Sequence, residues 1–173
     1  MKIRFVLACT AALGFSSLAQ AEKLQPGLWE IQSKNMQVNG QQMPDLQLLM
    51  GSLPPEQRKM AEQAMAKQGV AMAGNGVRMC ITPEQAQTDN FPTQGAHSGC
   101  KQQITERTPK MMKFTVSCPQ GQGQGQTTFL NAREFVTTVN GTFLMGGQNQ
   151  QGRLESTGRW VGADCSGLPA NTR

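Results

Sequence analysis

Cysteine and methionine are the residue types with distinctive chemistry to offer in this sequence. Of its five cysteines, Cys9 lies in an apolar leader, which leaves Cys80, Cys100, Cys118 and Cys165. A zinc site or a thioredoxin-type redox centre needs closely spaced ligand pairs such as C-x-x-C, and the tightest spacing here is that of Cys100 to Cys118. An even number of cysteines in an exported chain instead implies two structural disulfides. Methionine is unusually plentiful, with eleven residues. Met60, Met65, Met72 and Met79 follow one another through the middle of the chain, and Met111 and Met112 are adjacent. Clustered thioether sulfurs select soft ions such as Cu(I), whereas methionine in a core or on an adaptable surface fills irregular apolar space. Gly69, Gly74 and Gly76 interrupt the seven-residue spacing of Met65, Met72 and Met79, so these do not form a heptad seam.

Catalytic arrangements are otherwise absent from the sequence. His97 is the one histidine and sits in Gly95-Ala96-His97-Ser98-Gly99, with no G-x-S-x-G elbow to supply a nucleophile, so it reads as a solvated loop side chain. The acidic residues from Glu30 to Asp164 are dispersed and nominate no pair for acid and base work. Neither a phosphate-binding loop nor a calcium loop occurs, and no cofactor is implied. A non-catalytic role is the expectation, with a hydrolase whose carboxylates converge only in the fold held in reserve.

The compartment is read from residues 1–21. Lys2 and Arg4 precede an apolar run, 5–18, that ends at Ala19-Gln20-Ala21, the pattern of a signal peptide cleaved after Ala21. Cys9 stands too early in that run to be a lipoprotein processing site. No later stretch is continuously apolar enough to span a membrane, so the mature chain is expected to be soluble and periplasmic. Losing Lys2 and Arg4 lowers the formal charge from +5 to +3. The remaining basic residues are scattered and not interleaved with aromatics, which argues against nucleic acid as a partner.

Residues 100–118 resolve once the segment is folded at Pro109. That fold sets Glu106 opposite Met112, Ile104 opposite Phe114, Gln102 opposite Val116 and Cys100 opposite Cys118, all on one face because alternate strand residues share a face. Proline suits the turn at 108–110 and would interrupt a ladder inside a strand. The segment is a stapled hairpin, and by elimination Cys80 pairs with Cys165. That second bond closes a loop of about 85 residues and is worth on the order of 4 kcal/mol in the chain-entropy account.

The remaining sequence reads mostly as strands. Residues 28–38 carry Trp29 and Ile31 on one face and run into Asn39-Gly40, a tight-turn signal. Val77, Met79 and Ile81 alternate with polar neighbours. A long strand is expected over 127–139, turning at Asn140-Gly141 into 142–145, and 153–161 carries Leu154 and Trp160 on one face. The Gly- and Gln-rich stretch 119–126 reads as a flexible loop. Between 43 and 72 the period changes to helical: Leu46, Leu49, Met50 and Leu53, then a second helix over 56–67 with Pro55 at its start and Gly69 past its end. A shorter turn of helix starts at Thr82-Pro83-Glu84. The expectation is α+β, mostly antiparallel β: a single domain over 22–173 of six or so strands in a meander, with a helical insertion at about 43–72 that covers one sheet face, and two disulfides.

Gly27-Leu28-Trp29-Glu30, Cys80-Ile81-Thr82-Pro83-Glu84-Gln85-Ala86, the pair Cys100 and Cys118, and Gly158-Arg159-Trp160 followed by Asp164-Cys165 occur in an order that resembles the bacterial domain-of-unknown-function 3617 family. The resemblance spans essentially the whole mature chain. It implies an exported, periplasmic protein of Gram-negative bacteria with no established activity, and it carries over no functional residues.

These readings converge on a module that binds an apolar ligand or an envelope partner protein, at a surface shared by the sheet and the insertion. Met60, Met65, Met72, Trp29 and Trp160 are its candidate residues, on an insertion whose glycines and prolines could hinge as a lid. Methionine-based Cu(I) binding is the alternative.

Overall fold

The computed structural model describes residues 23–74, 76–87, 99–166 and 168. The leader, 1–21, and His97 lie outside the described residues.

Each element follows from a local signal. Strand β1 (Gly27–Val38) ends at Asn39 and Gly40, whose φ values of 49° and 77° form the two-residue turn that Asn-Gly favours, leading into the short β2 (Gln41–Gln42). Helix α1 (Leu46–Ser52) is capped by Asp45, whose side chain accepts from the Leu48 amide at 2.8 Å. Helix α2 (Pro55–Lys67) places Pro55 at its first turn, where the missing N–H costs nothing, and stops before Gly69 at φ 73°. Strands β3 (Val70–Ala73) and β4 (Gly76–Ile81) precede α3 (Pro83–Gln87). Thr82 and Gln85 cap α3 reciprocally: the Gln85 amide donates to Thr82 Oγ1 at 3.2 Å, and the Thr82 amide donates to Gln85 Oε1 at 2.9 Å. Five strands complete the described fold: β5 (Lys101–Thr108), β6 (Met111–Cys118), β7 (Gly121–Asn131), β8 (Glu134–Met145) and β9 (Gln148–Gly162).

One antiparallel sheet contains all nine of these strands, in the order β3-β4-β1-β9-β8-β7-β6-β5, with β2 alongside β1. The meander expected for the chain is therefore the run from β5 to β9. Cys80 at the end of β4 is bonded to Cys165 just beyond β9, and Cys100 to Cys118 across the open end of the β5–β6 hairpin, with Cα separations of 5.7 and 4.1 Å.

Several details depart from the sequence reading. The Gly- and Gln-rich stretch is the first half of β7 rather than a loop, because its glycines take alternate positions on one face and its glutamines face water on the other. The long strand expected over 127–139 is divided at Ala132 and Arg133, where the Arg133 amide donates to the Asn131 side chain at 2.8 Å and Phe129 comes opposite Phe135. Asn140-Gly141 lies inside β8 instead of turning, since Gly141 is needed opposite Gly123; the chain turns at Gly146-Gly147, both with positive φ. In the stapled hairpin, Ile104 and Gln102 face Phe114 and Val116 as expected, but a bulge beyond Ile104 sets Glu106 opposite Lys113 and Arg107 opposite Met112. The 43–72 insertion ends in strand, because Val70 and Met72 pair with Met79 and Val77. Helix α2 covers no sheet face: it has no buried residue and packs on β3, an edge of the sheet. Arg58 closes the insertion on itself, donating to the carbonyls of Met50, Gly51 and Leu53 at the end of α1.

The inner face of the sheet holds the core, with Leu24, Trp29, Ile81, Met112, Phe114, Phe129 and Phe135 all buried. Trp29 and Phe135 meet at 5.3 Å between ring centroids, and the Trp29 indole donates to the Gln25 carbonyl at 2.9 Å. Arg107 places its guanidinium 5.2 Å from the Phe129 centroid. This packing fills the half of the face that carries Trp29 and Phe135.

Candidate functional site

The other half of the inner face is open, and period-two alternation sets its composition. Antiparallel register stacks inward residues into rows across the strands. One row reads Val116, Gly123, Gly141 and Gly152 on β6, β7, β8 and β9. A parallel row on one side reads Phe114, Gly125, Val139, Leu154 and Met36. The row on the other side brings Cys118, Gly121 and Phe143 together.

Glycine is required here by close approach. A Cβ on Gly141 would stand 2.4 Å from the Gln122 carbonyl oxygen, and one on Gly123 would stand 2.9 Å from that of Asn140. The sheet is creased between β7 and β8, where side chains would hold the strands apart. Aromatic rings lie over other glycines, Phe143 over Gly152 and Phe135 over Gly158, covering backbone that no side chain of its own protects.

A cavity of about 630 Å³ occupies this creased half of the sheet. Its apolar walls come from Met36, Val116, Val139, Phe143, Leu154 and the Cys100–Cys118 disulfide. Gly121, Gly123, Gly141 and Gly152 also border it. The charged residue along its border, Arg153, belongs to the outward set of β9, as do Gln122 and Thr142 on their own strands. Apolar walls with polar groups confined to the rim suit a ligand held by hydrophobic burial and oriented from its exposed end.

The residues nominated from sequence lie elsewhere. Trp29 and Trp160 are cross-strand partners; Trp29 is fully buried, while Trp160 is half-buried and its indole donates to the Pro26 carbonyl at 3.1 Å. Met72 is half-buried on β3, Met65 is half-buried on α2, and Met60 is 62% exposed. None of the five lines the cavity. Of the nominated residues, Cys100 and Cys118 do. The residues that line it were missed, although glycine at every second position of 121–125 was a visible sign of a strand with one bare face.

Titratable and metal-ligating groups are spread thinly. Among the described residues no three of His, Cys, Asp and Glu gather as they would around a metal ion. Met111 and Met112 are consecutive strand residues and so point to opposite faces, and the Met112 sulfur accepts from Arg107 Nη1 at 3.4 Å, which sets a cation beside it. Glu30 and Glu106 form exposed ion pairs with Arg78 and Lys113, at 3.4 and 2.7 Å. Asp164 is held below the usual carboxylate range by hydrogen bonds from the Ser166 hydroxyl and amide in the turn that carries Cys165.

Among the described residues, no helix is long and apolar enough to cross a membrane. No solved structure matches the chain. A protein of Pseudomonas putida called "Uncharacterized protein in lpd-3 5'region" is 54% identical over 140 residues, covering 79% of this chain and 98% of that protein. Residues 24–165 match the family described as "Protein of unknown function (DUF3617)", and with that extent of agreement the chain belongs to this family.

Proposed function

We propose that the protein is an exported, non-catalytic module that takes up an apolar ligand in the cavity on the inner face of its sheet. The observation that carries this reading is the cavity itself: about 630 Å³, walled by Met36, Val116, Val139, Phe143 and Leu154. Its volume lies within the range of small-molecule sites, and apolar walls with few polar groups are what such sites present. Export to the periplasm is supported by the leader ending at Ala19-Gln20-Ala21 and by two disulfides, which persist in oxidising compartments. The helical insertion is not part of this site, so binding needs no lid movement.

Uptake of N-phenylnaphthylamine, a probe that fluoresces on leaving water, tests the proposal. The mature protein should enhance its fluorescence saturably. Leu154→Trp, which fills the cavity with an apolar ring, should abolish the enhancement, and Met60→Ala on the exposed helix should leave it intact. No enhancement by the folded protein, or full enhancement by folded Leu154→Trp, contradicts the proposal.

A further inference from the structure

The cavity has a direction. Its walls come from five adjacent strands, with Met36 on β1, Leu154 on β9, Val139 and Phe143 on β8, Gly123 on β7 and Val116 on β6. Four intervals between strands make a run of about 19 Å across the sheet. Along the strands the cavity lies between Val139 and Phe143, four residues or about 14 Å apart on β8, and their side chains narrow it further. Its long axis therefore runs across the strands, the outline a methylene chain fills when laid along that axis.

The lining agrees with this shape. Val139 and Phe143 stand two residues to either side of Gly141 on β8, so side-chain walls flank a floor that is backbone at Gly123 and Gly141, with the Phe143 ring over Gly152. No charged residue belongs to the inward rows that meet the cavity, whereas Gln120, Gln122, Thr142 and Arg153 border it from the outward sets and the β6–β7 turn. A hydrocarbon chain can lie inside with a polar head group left at the rim. Met36 at one end is unbranched and adapts to the chain's terminus, and at the other end the disulfide closes the slot with two more polarizable sulfurs.

We infer that the cavity takes a single unbranched acyl chain, laid across the strands between Met36 and the Cys100–Cys118 bond. The inference rests on the proposed uptake of apolar ligands at this site and adds the class of ligand. A free fatty acid and a single-chain phospholipid share this chemistry.

Displacement of N-phenylnaphthylamine by saturated fatty acids from octanoic to stearic, each below its micelle-forming concentration, tests the inference. Affinity should rise about threefold to fourfold for each methylene buried and then level off once the chain fills the slot. Val116→Phe, which shortens the slot at its β6 end, should bring the plateau to a shorter acid while leaving the shortest acids unchanged. A parallel series of lysophosphatidylcholines identifies the source: the class that shows the rise and plateau is the one the site reads. The inference fails if the probe binds but neither class shows chain-length dependence, or if folded Val116→Phe weakens every length equally. Those outcomes leave the apolar-ligand proposal standing, whereas a folded protein that takes up no probe removes both.

Discussion

Phe114 on β6 lies over Gly125, its partner on β7: a Cβ built on Gly125 would stand 2.4 Å from Phe114 Cζ. The ring is almost fully buried and occupies the place a side chain on β7 would need. Gly125→Ala therefore forces the ring out of its position, at an expected cost of about 1–3 kcal/mol, read as a lower urea midpoint with an unchanged slope. Phe114→Leu in the same chain should recover part of that loss, so the two substitutions will be less than additive.

The two disulfides differ in the length of chain they close, 85 against 18 residues. Replacing Cys80 and Cys165 together by serine should cost about 4 kcal/mol, and replacing Cys100 and Cys118 about 3 kcal/mol, if restriction of the unfolded chain dominates. Chemical denaturation of the two double variants checks the order. Equal costs, or the reverse order, would show that local packing of the sulfurs outweighs the loop length.

Thr127 and Thr137 face each other on β7 and β8 with their hydroxyl oxygens 2.8 Å apart, and Thr127 is 3% exposed. Thr127→Val leaves the Thr137 hydroxyl facing a methyl group and should destabilise by about 1–3 kcal/mol. The double change to valine removes both polar groups and should lie close to the native stability. A double-mutant cycle in urea measures the coupling.

The fold was legible wherever side-chain chemistry marks a position. Asn39-Gly40, Pro55 with Gly69, Thr82 as the cap before Pro83, and the symmetric cysteines about Pro109 each state a local geometry that the structure contains. Misreadings arose where tertiary context overrides a local signal. Asn140-Gly141 has turn chemistry, yet β8 runs straight through it because the crease against Gly123 demands glycine there. The 121–126 segment has low strand propensity and is held in the sheet by β6 and β8 on either side. The bulge beyond Ile104 has no compositional mark. The cavity was illegible for a related reason: its walls come from five strands, and a shift of one residue in any register would turn that strand's contribution to the other face.

Methionine separates into two populations. Met60 is 62% exposed on α2, whereas Met112 is fully buried beneath the Arg107 guanidinium. Met60→Ala should change stability by less than about 0.5 kcal/mol. Met112→Ala should cost about 2–5 kcal/mol by opening a void in the core. Thermal or urea unfolding of the two variants checks this contrast, and similar losses at both positions would show that α2 packs more closely than its exposure indicates.

Methyl NMR of the protein over residues 22–173 titrated with palmitic acid is the most direct test of where ligand binds. The account predicts shifts at Met36, Val116, Val139 and Leu154, which line the cavity, and none at Met60 and Met65 on α2. Shifts at Met60 and Met65 with the cavity methyls unmoved would contradict it, and would place the apolar site on the helical insertion.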